Sequence, residues 1–402
     1  MLNSPLERSP VSHRSLPAEF QGAAEKSVDR PLLTASLIVR NEEEFLAGCL
    51  DSLRSVADEI VIVDTGSTDR SKEIAESAGA RICDLKWTGD FSEARNRALD
   101  LSTGQWILYI DADERVRSDS VSNLRAELSD PSQVGYELLL HPRPGHTAYW
   151  VLRLFRNDPS VRFRGIIHEN IWPALNEYSA RTAGRIGRSA LVLDHEGYEG
   201  DREAKNKRNL PLLVRSLRQD PGHVYSWCHL ATIHMDMKAP EPARQAWLTA
   251  LDLVRSREAQ APEDILPYLG LIRNGADLGC DTDSLLAEAL SRFPSSIQLQ
   301  WLRARKLMDD GHFEDAIAAF LRIVERGETR DYDQIMAHNS KLFGVFAYDC
   351  IATCHFRLGR YSESRHYYDL AARHEPDRTE YRVKRALCER LERQRSGSPA
   401  SA

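Results

Sequence analysis

Residues 35–44 read ASLIVRNEEE, residues 59–71 EIVIVDTGSTDRS, residues 90–99 DFSEARNRAL and residues 105–114 QWILYIDADE. Ala35 to Val39, Glu59 to Val63, Ala80 to Leu85 and Gln105 to Ile110 are short runs rich in Ile, Val and Leu, without polar alternation. Such runs predict strands buried on both faces, as in a parallel sheet covered by helices. Between them, Glu44 to Leu53 carries Phe45, Leu46, Cys49, Leu50 and Leu53 at helical spacing. Thr68 to Ala78 and Phe91 to Leu101 carry similar stripes. Strand and helix in alternation predict an α/β, doubly wound half-domain. Ligands of such sheets bind outside the carboxyl ends of the strands. Asn41, Asp64 and Asp111 all fall at those ends.

The last of these strands also delivers Asp113, separated from Asp111 by one residue, to the edge that carries Asp64. Two carboxylates on one side of an extended segment can serve a hard divalent cation. Mg²⁺ or Mn²⁺ would keep some water ligands and bridge diphosphate oxygens. Singly, each motif has a plainer reading. An acidic doublet is common where a helix starts, and DADERVRSDS could be a capped helix entry. Gly66 makes a tight turn, Ser67 or Thr68 caps the next helix, and Arg95-Asn96 is a solvated helix face. Asp64 is harder to explain as a cap, because it ends an apolar strand ahead of the turn.

Together, in this order and spacing, the four motifs resemble the family-2 glycosyltransferases of the GT-A fold, a Rossmann-like doubly wound architecture. The resemblance implies a sugar-nucleotide-dependent transferase, with uridine diphosphate the commoner carrier. Val39, Asn41, Glu42, Asp64, Gly66, Arg95 and Asp111 then become the donor-binding residues. Asp64 would hydrogen-bond the base, Arg95 would meet base or phosphates as a fixed cation, and Asp111 would hold the ribose or act through water. Asp113 would ligate Mg²⁺ or Mn²⁺ directly, with Asp111 and His195 as further metal ligands. The implied outcome is inversion at the anomeric carbon. A base deprotonates the acceptor while the metal stabilises charge on the departing nucleoside diphosphate.

VLRLFRNDPSVRFRGIIHENIW, residues 151–172, sets an arginine-rich segment before Gly165, His168 and Glu169. LVLDHEGY, residues 191–198, carries His195, Gly197 and Tyr198. A lone histidine is usually a satisfied structural residue. Both segments nevertheless resemble the acceptor-side and closing motifs of the same family. Glu169 thereby becomes the candidate general base, and His168 a residue orienting Glu169 or the acceptor. Arg153, Arg156, Arg162 and Arg164 are either neutralisers of the leaving diphosphate or solvated charges. IHE stands where many family members carry a Glu-Asp pair, a departure that bears on the base.

From Asp201 the strand pattern ends, and AKNKRNLPLLVRSLRQDPGH predicts a connecting helix stopping at Asp220-Pro221. An imperfect repeat of helix pairs follows. Its units are marked by Leu230-Ala231, Ala243, Trp247 and Ala250, then by Leu269-Gly270, Ala289 and Pro294. Ala304, Gly311, Phe313, Ala316 and Phe320 mark a third, and Ile351-Ala352, Gly359, Tyr361, Tyr368, Ala371 and Pro376 a fourth. The pattern resembles tetratricopeptide repeats, with a period of about 34 residues. An insertion including Arg330 to Lys341 interrupts it before the fourth unit. Such a solenoid offers a concave surface for a peptide or partner protein; the plainer reading is a buttress, or a contact in a homodimer.

A family-2 domain joined to such repeats resembles peptide S-glycosyltransferases of the sublancin type, and also bacterial transferases with glycan acceptors. The implied acceptors are a peptide or protein side chain, or a polysaccharide or lipid-linked precursor. A non-catalytic repeat scaffold with a degenerate sugar-nucleotide domain is the reading from another class. Intact Asp64, Asp111, Asp113 and Glu169 argue against it.

The expected division is a disordered tail over 1–31, a catalytic domain over 32–200, the connecting helix and repeats over 201–390, and a second tail over 391–402. Both tails are rich in Ser, Pro and charge. No run of 18 apolar residues predicts a membrane span, and the N-terminus lacks the apolar core of a secretory signal. Seven cysteines without CxxC spacing fit reduced thiols in the cytoplasm better than a disulfide framework. A net charge of −7 gives no general drive towards nucleic acid.

Overall fold

The computed structural model describes residues 30–197, 202–258, 260–334 and 336–396. Of the expected tails over 1–31 and 391–402, residues 1–29 and 397–402 lie outside the described residues, as does Tyr198. The described residues from Pro31 onward pack as one compact unit.

Eight strands form one sheet: β1 Leu33–Val39, β2 Glu59–Asp64, β3 Arg81–Asp84, β4 Trp106–Tyr109, β5 Glu114–Val116, β6 Gln133–His141, β7 Tyr149–Arg156 and β8 Arg185–His195. Their order is β3-β2-β1-β4-β7-β6-β8-β5. The first four are parallel neighbours, as their unalternating apolar runs predict. Leu33, Ala35 and Leu37 pack with Leu46, Leu50 and Leu53 of helix Leu46–Leu53. Val61 and Val63 pack with Ala94 and Ala98 of helix Phe91–Leu101. Asp90 starts that helix by accepting the Glu93 N–H at 3.1 Å.

The rest of the sheet is mixed, which the parallel expectation did not contain. β7 runs antiparallel to β4 and to β6, β8 is parallel to β6, and β5 is antiparallel to β8. The arginines of the 151–172 segment therefore belong in part to a strand.

The connecting helix spans Arg202–Gln219. Four helix pairs follow among the described residues: Val224–Asp236 with Pro240–Arg255, Leu266–Arg273 with Thr282–Arg292, Ile297–Asp309 with Phe313–Thr329, and Val345–Arg357 with Tyr361–His374. Helix Thr379–Ser396 closes the array and carries regular structure into the expected 391–402 tail. The small residues sit where helices touch: Ala231, Ala243, Ala250, Ala289, Ala304, Ala316, Ala352 and Ala371 are all 0% exposed. At Gly270 a Cβ would lie 2.4 Å from the Trp247 ring, so this crossing needs glycine.

Two contacts tie helices to sheet. Ile166 and Ile167 are buried with Leu212, Leu213, Leu217, Leu230 and Ile233. The 330–341 insertion reaches back to the β6–β7 connection. There the Thr147 N–H donates to the His338 carbonyl and the Trp150 N–H to the Gln334 carbonyl, both at 2.8 Å. Among the described residues no helix is long and apolar enough to cross a membrane.

Candidate active site

The loops after β1 and β2 lock together. Asn41, at φ 57, takes the left-handed conformation that Asn tolerates better than most side chains. Its N–H donates to Ser67 Oγ at 3.0 Å, and its Oδ1 accepts the Thr68 N–H at 2.7 Å. The Glu42 N–H donates to Ser71 Oγ at 2.8 Å. Asp64, only 2% exposed, accepts the N–H groups of Gly66 and Ser67 through Oδ1 at 2.9 and 2.8 Å, fixing Gly66 at φ 108. The expected capping by Ser67 or Thr68 is corrected: Arg70 stands at the N-cap of helix Ser71–Ser77, with no side-chain cap. Their polar groups instead bridge the two loops.

Val39, Glu42, Arg95, Asp111, Asp113, His168, Glu169 and His195 line one cleft of about 410 Å³. Asn41, Asp64 and Gly66 are not in its lining; they brace the loops that present Val39 and Thr65 to it.

The two aspartates of the DAD triplet have different surroundings. Asp111 Oδ1 accepts from Arg95 Nη2 at 2.5 Å and Oδ2 from Arg153 Nη2 at 3.2 Å. Arg153 also donates to Glu114 Oε1 at 2.5 Å, and both guanidinium groups lie against the Tyr109 ring. Desolvation would raise the Asp111 carboxyl, but the Arg95 and Arg153 charges override it and hold it well below the ordinary range. Burial, helped by Asp111, pushes Glu114 up to about 7 despite Arg153. Both Asp111 oxygens thus accept from arginines, whereas Asp113 meets a histidine.

Asp113 Oδ2 lies 3.0 Å from His195 Nε2. Burial works against the His195 proton, yet the hydrogen bond to Asp113 wins and raises its pKa. Gly197 packs on the same carboxylate: a Cβ there would stand 2.2 Å from Asp113 Oδ2. Glu42 lies near, pushed up to about 7 by burial and then by Asp113 and Asp111. No group of three or more His, Cys, Asp or Glu side chains among the described residues is arranged to hold a metal by itself. Asp113 and His195, beside the surplus negative charge at Glu42, fit a hard divalent cation that takes its other ligands from water and phosphate.

Residues 35–174 match the sequence model of Glycosyl transferase family 2. Over that segment the chain is similar to the family-2 glycosyltransferases. It is 38% identical over 187 residues to a TPR repeat-containing protein of Synechococcus elongatus, covering 46% of this chain and 45% of that one. It is 30% identical over 206 residues to the SPbeta prophage-derived glycosyltransferase SunS of Bacillus subtilis, covering 49% and 47%. The chain thus spans just under half the length of these relatives. A solved structure of S. aureus TarS with UDP-GlcNAc overlaps 66% of this chain and 93% of its own, at 16% identity and a TM-score of 0.39. At that level the architecture rests on the chain's own strands and helices.

Within the matched segment, Arg95 is 5% exposed and serves Asp111 and, through Nε at 3.3 Å, Glu169. Its guanidinium is paired inside the protein while still lining both clefts. The other four arginines are also engaged. Arg153 is in the buried network above. Arg156 lies over Trp106 at 4.1 Å, Arg162 pairs with Asp100 at 2.8 Å, and Arg164 pairs with Glu177 at 2.8 Å. Besides Arg95, the cations lining the cleft are Arg40, directly after β1, and Lys205 and Arg208 of the connecting helix. For Lys205 and Arg208 the sequence signal was the basic run KNKR, which reads as a solvated helix face.

His168 does not reach for Glu169. Its Nε2 shares a 2.8 Å hydrogen bond with His229 Nδ1, and its ring meets Tyr225 edge-on at 4.5 Å, both in the first helix pair. Glu169 faces the other way, onto Arg95. A second cleft, of about 820 Å³, shares Arg95, Asp111 and Glu169 with the first. Tyr149, Trp150 and Trp172 line its sheet side; Pro262, Glu263 and Gln334 come from the helical region. Trp150 is held there by its Nε1–H bond to Gln334 Oε1 at 2.8 Å and by Arg188 over its ring at 4.6 Å.

Proposed function

We propose that the chain is a metal-dependent, inverting glycosyltransferase that moves a sugar from a nucleoside-diphosphate donor, uridine diphosphate being favoured, to an acceptor entering by the second cleft. The observation that carries this reading is the meeting of the two clefts at Glu169, Arg95 and Asp111. A donor in the first cleft and an acceptor in the second would face each other across that carboxylate.

In this reading the loops braced by Asn41, Asp64 and Gly66 receive the nucleotide. Asp64 Oδ2, buried without a hydrogen-bond partner among the described residues, suits a base N–H. Lys205 and Arg208 offset the charge of the departing diphosphate. Asp113 and His195 would hold Mg²⁺ or Mn²⁺, which when bound supplies Lewis acidity at the diphosphate. Glu169, steadied by Arg95 Nε, takes the acceptor proton as the acceptor attacks the anomeric carbon and the bond to the diphosphate oxygen breaks. Arg95 and Arg153 keep Asp111 ionised and fixed beneath the reacting groups. The helical region walls the acceptor cleft, and a solenoid surface suits an extended chain; both favour a polypeptide acceptor over a lipid-borne glycan. Seven free thiols suit a reducing cytoplasm.

The test is a panel of nucleoside-diphosphate sugars with and without Mn²⁺, reading nucleoside diphosphate release by mass spectrometry. Release from one donor, dependent on metal and lost in Asp113→Ala, is expected. Metal-independent release, or no release from any donor, would reject the reading.

A further inference from the structure

Glu169 sits in a loop that is gripped from two sides. Arg164 and Asn170 close it with paired backbone hydrogen bonds of 3.1 and 2.8 Å. On the sheet side, the Phe91 N–H donates to the Ile166 carbonyl at 2.9 Å, and Ser92 Oγ donates to the Gly165 carbonyl at 2.6 Å. On the other side, Ile166 and Ile167 are buried against the connecting helix and the first helix pair. Within the loop the chain turns through Gly165 at φ 106 and His168 at φ 59. Glycine adopts the first conformation freely; histidine adopts the second more often than most L residues, yet still as a minority conformation that a holding contact stabilises.

The holding group for His168 comes from 61 residues away, in helix Val224–Asp236. Neutral imidazoles can make the 2.8 Å bond between His168 Nε2 and His229 Nδ1 in one way only: one ring donates and the other accepts. Burial, then the neighbouring His229 and His223, pushes His168 down to about 3, which keeps its ring neutral. If the bond were lost, residue 168 could relax to an ordinary negative φ. That rotation would swing the next peptide, and with it the Glu169 carboxylate, off Arg95.

We propose that His229 of the helical region is a positioning residue: through His168 it holds the left-handed turn that keeps Glu169 on Arg95 where the two clefts meet. The repeats would then be part of the catalytic apparatus and not only a surface for partners. The inference rests on Glu169 acting on the acceptor or on water.

The test uses the full chain carrying His229→Phe, which fills the space without the hydrogen bond, and His229→Asn, whose amide can replace Nδ1. Two readouts are taken: kcat and donor KM for nucleoside diphosphate release with Mn²⁺, and hydrogen exchange of the 164–170 amides. In His229→Phe, kcat should fall by about 10-fold or more with donor KM unchanged, within the roughly 10²-fold range set by a misplaced reacting group. Exchange in the loop should quicken, and His229→Asn should restore both. A folded His229→Phe with wild-type kcat and wild-type loop exchange would overturn the proposal. So would equal losses in Phe and Asn, which indicate packing alone. If Glu169→Gln turns over normally, the base reading fails by itself. The exchange comparison then still decides whether His229 holds the loop.

Discussion

The donor side and the acceptor side of this site are built by different means. On the donor side, β1, β2 and β4 each end on a polar group within a residue or two of the strand, and neighbouring loops lock through bonds such as Asn41–Thr68. On the acceptor side, Glu169 is set by Arg95, 74 residues earlier, while its neighbour His168 is set by His229. Trp150 depends on Gln334, 184 residues later. A local motif can carry a nucleotide site because the strand end does the positioning. A reacting carboxylate and an acceptor wall need contacts that close only when distant parts of the chain meet. The two sides should therefore fail differently.

The largest effect is expected on the donor side. Asp113→Ala should lower metal-dependent donor turnover by at least about 10²-fold, the scale of one lost charge-stabilising group, with a melting temperature close to wild type. Gly197→Ala should imitate it, since the new methyl would displace Asp113. Turnover and Mn²⁺ dependence measured on both variants check the pair; normal turnover in a folded Asp113→Ala would remove the metal assignment.

On the acceptor side, Glu169→Gln should slow transfer by about 10²- to 10⁴-fold while leaving donor KM alone. A thiol acceptor would shrink the effect, because its unperturbed pKa of about 8.5 needs less help from a base. Loss of donor binding instead would make Glu169 a donor-side residue and erase the contrast.

Arg153→Met probes the network beneath both sides. It leaves Glu114, 1% exposed, without its cation, and Asp111 with Arg95 alone. Breaking a buried ion pair by removing one partner costs about 3–5 kcal/mol. The urea midpoint should fall accordingly, and turnover with it.

Acid should act on the junction between sheet and helices. The folded-state pKa of His168 is depressed to about 3, chiefly by burial, with His229 and His223 facing it and Tyr225 against its edge. In the unfolded chain this histidine takes its proton near 6.5. The unfolded state therefore binds the extra proton between these values. The stability contribution of this group is full above about 6.5 and falls as the pH drops towards 3. Wild type should lose more stability between pH 7 and pH 5 than His168→Gln does, as read from urea midpoints. Equal losses would show that His168 is not the titrating group.

The smallest expected change is Gln334→Ala, which removes one side-chain hydrogen bond to Trp150, typically worth about 1 kcal/mol. Donor hydrolysis should stay at the wild-type rate, while KM for an accepted polypeptide should rise several-fold. A matching fall in donor hydrolysis would put Gln334 on the wrong side of the comparison. Deleting residues 201–402 is a poorer probe, because it would strip the cover from Ile166 and Ile167 beside Glu169.

By itself, the sequence determined the parts whose structure follows from neighbours along the chain. The unalternating runs predict β1 to β4 to within two residues at each end, and the small residues at helical spacing predict the buried crossings of all four repeat pairs. The position of the DAD triplet at a strand end was legible for the same reason. Tertiary structure alone decided β6 and β7 as antiparallel members of the sheet, because their half-buried faces mix arginine and tyrosine with leucine and give no clean period. It also decided which charges are spent. Arg95, Arg153 and Asp111 read as separate ligand-facing groups; the fold brings them within hydrogen-bond distance, so they line the second cleft as one paired network. Lys205, Arg208 and His229 reach the site only because the helical region lies against the sheet, and no local pattern records where a helix some 60 residues away will land.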